Sequence, residues 1–172
     1  MVFARTGYMD KSSECIKLAL YNIEHSFSEF YKPQLGMYRM NATVKENSIY
    51  FNALFRYAQV TAMLGCPTVS SAVGILLLSL DPLGDPMHIL LVLDFYLLAS
   101  NNHSTIRTML TADSLLLGWP IGHTSIPSEK PPNMTTLKDL PNWAFSEVKA
   151  TTFFLTDDSI IGIFHFPARR LC

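Results

Sequence analysis

Apolar residues in the first part of the chain recur at intervals of three and four, the spacing of one helix face. The first series follows Asp10, a suitable N-cap, and predicts a helix that ends before Pro33. A polar connector extends to about Glu46, after which a second series predicts a helix that Gly65 ends. The two series are Ile16, Ala19, Leu20, Ile23, Phe27 and Phe30, then Tyr50, Ala53, Leu54, Tyr57, Ala58 and Ala62.

The stretch LLLSLDPLGDPMHILLVLDFYLLAS, residues 76–100, places two apolar runs on either side of two Asp-Pro pairs. The first run is apolar nearly all round, which predicts a third helix, over 69–80, covered on several sides. A residue before proline avoids the helical region, so we expect a turn at Asp81-Pro82. Asp85 can accept from free backbone N–H groups, and Pro86 suits a first helical position. A fourth helix is therefore predicted from Pro86 to about Ser100.

The remainder of the chain gives weaker signals. A fifth helix is predicted over 104–117, and the prolines and glycines of 118–135 indicate an irregular loop. LKDLPNWAFSEVKATTFFL is compatible with helix or strand, and the β-branched and aromatic tail favours a strand or an irregular segment. We therefore divide the chain into a helical core of four to five helices at 1–117, a loop at 118–135, and an additional segment with a divergent tail at 136–172.

These elements predict an all-α fold of antiparallel helix pairs, a fragment of a helical repeat of the TPR-like or α-solenoid kind, with an irregular or strand-like C-terminal tail.

A membrane hairpin is the alternative for residues 76–100. A spanning helix needs about 20 apolar residues, whereas the first run is shorter and Asp94 interrupts the second. Aspartates near the bilayer centre would cost at least a few kcal/mol, so we expect no membrane insertion.

Composition changes this picture in one respect. Charged residues make up 16% of the chain and hydrophobic ones 49%, whereas soluble proteins average about 25% charged. Such a chain is expected to expose apolar surface that a protein partner covers.

The net charge of -1 provides no basic field for a phosphate backbone, so we expect no direct nucleic-acid binding. Cys15, Cys66 and Cys172 are odd in number and far apart, which favours reduced thiols in cytosol or nucleus.

No catalytic, cofactor or metal motif emerges from the sequence. The chain contains no GxSxG, P-loop, GxGxxG, CxxC or HExxH pattern. Asp81 and Asp85 have structural tasks at helix ends, and nothing near them supplies a base or a nucleophile. Asp94 is flanked by apolar residues, and a buried carboxylate must be paired or neutralised. We expect Asp94 to lie at an edge of the helix packing or to meet a cation such as Arg56. We expect the whole chain to be a helical binding scaffold rather than an enzyme.

Six stretches occur in an order that resembles the family of transcription factor 25, the animal relative of subunit 1 of the ribosome quality-control complex. They are ALYNIEHSF, NSIYFNALFRY, GCP, LLLSLDPLGDP, ILLVLDFYLLAS and LPNWAFS, and together they span about residues 14–150. The chain departs from the family at TVSSAVGI, which carries no charge, at Ser48, where the family has arginine, and in its tail. The resemblance therefore indicates a divergent or truncated member.

The resemblance implies a non-enzymatic adaptor that meets a ubiquitin ligase on stalled 60S ribosomes and assists ubiquitin tagging of incomplete nascent chains, in cytoplasm and nucleus. A nuclear transcriptional co-repressor and a generic helical scaffold are the alternatives. Residues matching the family motifs become structural or interface candidates. These are Asn47, Phe51, Leu54, Arg56, Gly65, Cys66, Asp81, Pro82, Asp85, Pro86, Asp94, Tyr96, Pro141, Asn142 and Phe145.

Overall fold

A computed structural model describes residues 9–32, 38–82, 84–111 and 137–156. This part of the chain contains six α-helices, one short 3-10 turn and no strand, which confirms the all-α prediction. The helices are α1 (Met9–His25), α2 (Lys45–Met63), α3 (Pro67–Leu80), α4 (Leu90–Ala99), α5 (His103–Thr111) and α6 (Pro141–Thr156), and the 3-10 turn is Leu137–Asp139.

Helices that follow one another along the chain pack against one another. α1 packs on α2, α2 on α3 and α3 on α4, and α6 lies against both α4 and α5. The short connection between α2 and α3 makes them antiparallel neighbours. The inward faces of the helices together form one hydrophobic core. Its largest fully buried apolar side chains are Tyr50, Phe51, Leu77, Leu80, Ile89, Leu93, Leu97, Ile106, Met109 and Trp143.

The first helix is shorter than its apolar spacing predicts. α1 ends at His25, because the backbone N–H groups of Ser26 and Phe27 bond three residues back rather than four. The Ser26 hydroxyl also donates to the Ile23 carbonyl, at 2.6 Å, and competes with the next helical turn. Phe27 still packs edge-on against Tyr50, with ring centroids 5.1 Å apart. Phe30 is 84% exposed, so its assignment to the buried face is wrong. Ala19 of the same series is exposed as well.

The end of α2 follows the sequence prediction. Gly65 adopts φ 82°, a left-handed conformation that glycine reaches without steric cost. The N–H of Gly65 bonds to the Ala62 carbonyl at 3.0 Å, and that of Cys66 to the Thr61 carbonyl at 2.9 Å. This pair of bonds is the Schellman motif, which satisfies carbonyls that the helix end would leave open.

The fourth helix begins four residues later than the sequence indicates. The turn at Asp81-Pro82 is present, and Asp81 Oδ1 accepts from the Gly84 N–H at 3.0 Å. Asp85 and His88 have positive φ values of 36° and 51°, which interrupt a helix on both sides of Pro86. α4 starts at Leu90. The Asp85 carboxyl does cap this helix, but from farther upstream, by accepting from the N–H groups of Ile89 at 2.8 Å and Leu90 at 3.1 Å.

The segment that was compatible with helix or strand is the 3-10 turn followed by α6. α5 is observed to Thr111, and the rest of its predicted length lies outside the described residues. The predicted loop at 118–135 and the tail from residue 157 also lie outside them, so the domain division stays a prediction. Within the described ranges, every helix is too short or too polar to cross a membrane.

Candidate functional site

A buried polar cluster joins α6 to α4. Asp94 is 6% exposed, although it lies in an apolar helix. Its Oδ1 accepts a hydrogen bond from Asn142 Nδ2 at 2.9 Å, and its Oδ2 accepts one from the Ser146 hydroxyl at 2.8 Å. Both oxygens of the carboxyl group therefore have a donor from α6, which is the condition under which a polar group can be buried at low cost.

The backbone of α4 contributes a second acceptor to the same cluster. The Leu90 carbonyl accepts from Trp143 Nε1 at 2.8 Å and from Asn142 Nδ2 at 3.1 Å. Trp143 has no exposed surface, so its indole N–H needs this partner. We call Leu90, Asp94, Asn142, Trp143 and Ser146 the Asp94 cluster.

Helix geometry explains why these residues meet. Leu90 and Asp94 are one turn apart on α4, and Asn142 and Ser146 are one turn apart on α6. Residues at i and i+4 lie on the same face of a helix. The two pairs face each other, and the hydrogen bonds fix both the register and the orientation of α6 on α4.

The Asp94 cluster corrects one prediction and adds two residues. Asp94 was expected at an edge or beside Arg56, but it is buried and its partners are neutral side chains of α6. Arg56 is exposed and donates to Gln59 Oε1 at 2.7 Å. Sequence reasoning did not single out Trp143 or Ser146, although both lie within the LPNWAFS stretch. The i, i+4 spacing of Asn142 and Ser146 was the available signal, and it has meaning only once this stretch is known to be helical.

The other motif residues are distributed over the fold rather than gathered in one site. Several lie in the core or at the turn before α4, others at helix ends, and three on the surface. Buried are Phe51, Leu54, Pro82 and Tyr96; Gly65, Cys66, Asp81, Asp85 and Pro86 lie in the turns; Arg56, Pro141 and Phe145 are exposed. Asn47 is half-buried, and its Nδ2 donates to the Asn41 carbonyl at 2.8 Å.

The cysteines differ from one another. Cys66 precedes α3 and forms a disulfide, so the reduced state expected for it is wrong. Cys15 has a free thiol on the exposed side of α1. Cys172 lies outside the described residues.

The altered pKa values in the described ranges arise from burial of core side chains. Burial raises the pKa of Tyr31 and of Tyr96 and lowers that of His103. The pKa of Tyr50 rises through burial and through the nearby Glu24 carboxylate, to which the Tyr50 hydroxyl donates at 3.1 Å. Among the described residues, no group of three or more His, Cys, Asp or Glu side chains could hold a metal ion.

A second feature lies on the outer sides of α4 and α6. Leu91 and Phe95 on α4 are 59% and 63% exposed, and Phe145 and Val148 on α6 are 76% and 64% exposed. α4 and α6 pack against each other, and each helix exposes two of these four residues to solvent. We call them the α4–α6 apolar surface. Its presence agrees with the exposed apolar surface that the low charge content of the chain predicts.

The six ordered stretches and the helical architecture can be compared with known proteins. A family model described as "Transcriptional repressor TCF25" matches residues 1–159. The chain belongs to the TCF25 family. Its recognition from six short stretches is thereby confirmed, and the match extends beyond them to all of the described residues.

Curated relatives within the TCF25 family are distant in sequence and much longer. The "Ribosome quality control complex subunit TCF25" of Dictyostelium discoideum is 23% identical over 149 residues, which is 87% of this chain and 18% of the relative. The human and mouse proteins of the same name are each 28% identical over 137 residues, 80% of this chain and 18% of the relative. This chain thus spans less than a fifth of the length of these relatives. No solved structure matches it significantly.

Proposed function

We propose that this TCF25-family chain acts as a non-enzymatic adaptor in ribosome quality control, where it assists ubiquitin tagging of incomplete nascent chains on 60S subunits. The observation that carries the proposal is the family match over residues 1–159. The curated relatives bear the name of a ribosome quality control complex subunit, which supports a role in ribosome quality control.

The structure supports a binding role through its surface. An adaptor acts by presenting a surface to its partners, and the buried Asp94 cluster joins the two helices that carry the α4–α6 apolar surface. Its four large apolar side chains are of the kind that form the centre of protein interfaces. We propose that a protein of the ribosome quality-control assembly covers this surface.

The description of the family model favours a second candidate, a transcriptional co-repressor. Such a protein would act in the nucleus, whereas the quality-control role places the chain with cytoplasmic ribosomes. We propose that the chain is present in both compartments and that direct contact with nucleic acid is not part of either role, because its net charge is -1.

Affinity purification tests the proposal directly. The tagged full chain is expressed in cells, and co-purifying proteins are identified by mass spectrometry together with ribosome sedimentation. Recovery of 60S proteins and of a ribosomal ubiquitin ligase is expected. Recovery of neither would contradict the quality-control role, and repression of a reporter gene without ribosome association would favour the co-repressor.

A matched pair of variants locates the interface. Phe95→Asp combined with Phe145→Asp places charge on the α4–α6 apolar surface and should abolish co-purification. Phe30→Asp is the control, since Phe30 is 84% exposed in the turn region after α1, outside this surface. Equal recovery with both proteins would show that the partner binds elsewhere. Circular dichroism confirms that each variant keeps its helices.

A further inference from the structure

α6 is attached to the molecule through few buried side chains. Over residues 141–153, the buried ones are Trp143, Ser146 and Ala150, whereas Phe145 and Val148 on the same helix are mostly exposed. α2, in contrast, buries six side chains, among them Tyr50, Phe51 and Leu54. Apart from Trp143, the buried face of α6 over 141–153 consists of two small side chains, and elements with few buried contacts are the ones that open at low free energy.

The polar contacts of α6 with α4 are concentrated at one end. All four hydrogen bonds of the Asp94 cluster come from the first two turns of α6, and all four end on Leu90 or Asp94. Water can replace each of these partners when the helix leaves, so every bond contributes modestly to stability while fixing the geometry strictly. Beyond the fully buried Trp143, the docking of α6 therefore depends on matched donors and acceptors.

We infer that α4 and α5 form a helix-binding groove that α6 occupies as a releasable unit, with Asp94 as the residue that selects this occupant. The occupant inserts Trp143, Ser146 and Ala150, which follow the i, i+3, i+7 spacing of a helix lying in a groove. The Trp143 indole N–H donates to the Leu90 carbonyl, and the Ser146 hydroxyl donates to the Asp94 carboxyl. The small side chain of the buried Ala150 allows the helices to approach closely. This inference concerns the chain itself and holds whichever assembly it joins.

Native-state hydrogen exchange of the full chain, followed by mass spectrometry, tests the release of α6. Amides of 137–156 should exchange through an opening that leaves α2 and α3 protected. Asp94→Asn keeps the shape of the side chain but leaves one acceptor oxygen for two donors, Asn142 and Ser146, and it should speed exchange in 137–156 by about tenfold. Exchange of 137–156 at the same rate as α2 and α3 in the wild type would overturn the inference.

Glu24→Gln is the matched control for this experiment. Glu24 accepts the hydrogen bond of Tyr50 between α1 and α2, so its replacement also removes an interhelical carboxylate. This variant should speed exchange in α1 and leave 137–156 unchanged. A uniform increase in both variants would show that α6 is part of one cooperative unit. Ser146→Ala provides the same readout if Asp94→Asn does not fold.

Binding in trans tests the groove itself. A labelled peptide of residues 137–156 is titrated into the full chain and its anisotropy is measured. Ser146→Ala in the chain weakens its own α6 but leaves Leu90 and Asp94 intact, so this variant should bind the peptide about tenfold more tightly than the wild type. A peptide carrying Trp143→Ala should bind neither protein. Equal binding of the peptide to both proteins, or no binding to either, would contradict a groove specific for α6.

Discussion

The contact between α2 and α3 and the contact between α4 and α6 solve the same packing problem with different chemistry. α2 and α3 bury apolar side chains such as Leu54, Ala58 and Leu77 in one core, and Thr61 and Ser70 share a hydrogen bond of 2.9 Å between hydroxyls. α6 meets α4 through a carboxyl group, an amide, a hydroxyl and an indole N–H. The first contact gains stability from buried area, and the second gains specificity from matched donors and acceptors.

α4 packs on α3 with one side and on α6 with another, and it uses apolar packing on the first side and hydrogen bonds on the second. Leu93 is fully buried toward α3, where a Cβ added to Gly74 would lie 2.8 Å from Leu93 Cδ1. Asp94, the next residue, faces α6. The stability gained from apolar packing increases with the apolar surface that is buried. We therefore expect substitutions on the α3 side of α4 to cause the largest losses of stability, and those on the α6 side to cause smaller, more local losses.

The strongest test of this comparison is Leu93→Ala. Removing a fully buried leucine side chain should lower the free energy of unfolding by about 2 to 5 kcal/mol, measured by urea denaturation. Leu91→Ala on the same helix is the control, because Leu91 is 59% exposed and should change it by no more than about 0.5 kcal/mol. A loss below about 1 kcal/mol for Leu93→Ala would mean that the α3 side of α4 is not packed core.

Asp94→Ala should have the next largest effect. It leaves the Ser146 hydroxyl and one N–H of Asn142 without their acceptor, which costs about 1 to 3 kcal/mol for buried groups. Combined with Ser146→Ala in a double-mutant cycle, the loss should be less than additive by at least about 0.5 kcal/mol. Strict additivity would show that the two residues act independently. Glu14→Ala, at an exposed position inside α1, serves as the control.

The two contacts also differ in how far the sequence predicts them. The apolar spacing of α2 and the glycine that ends it led to the observed helix, since both signals are local in the chain. The partners of Asp94 are 48 and 52 residues away, and no periodicity connects a carboxyl group to a particular amide and hydroxyl at that distance. Opposite charge alone suggested Arg56 as the partner of Asp94, but the fold places Asp94 against neutral donors of α6.

The start of α4 shows a second limit of local reasoning. Asp85 was correctly predicted to cap a helix, and Pro86 was wrongly placed as its first residue. The positive φ values at Asp85 and His88 arise from a turn that brings the Asp85 carboxyl to the N–H groups of Ile89 and Leu90. Such a turn depends on where α3 and α4 must pack, which the two residues Asp-Pro do not encode.

Gly65→Ala should cost less than either change above, about 1 to 2 kcal/mol, because an alanine at φ 82° is strained. An added Cβ would meet nothing within 4 Å, so the cost comes from the backbone alone. Gly65→Asn should cost less than Gly65→Ala, since asparagine tolerates the left-handed region. Thermal unfolding measures both variants. An equal loss for the two would indicate that side-chain crowding, rather than φ, determines the choice of glycine between α2 and α3.

The smallest expected effect concerns acid stability at the contact between α5 and α6. His103 is 7% exposed, its ring centroid lies 4.3 Å from that of Phe153, and burial lowers its pKa below the usual 6.5. The folded chain therefore binds fewer protons than the unfolded chain between the two pKa values, so the free energy of unfolding should fall as the pH decreases below 6.5. His103→Gln should remove this part of the decline between about pH 7.5 and about pH 5, measured by urea denaturation. His25→Gln, at the exposed end of α1, should retain it. If His103→Gln keeps the wild-type decline, the acid sensitivity arises outside this contact, and α6 is then held independently of the protonation of α5.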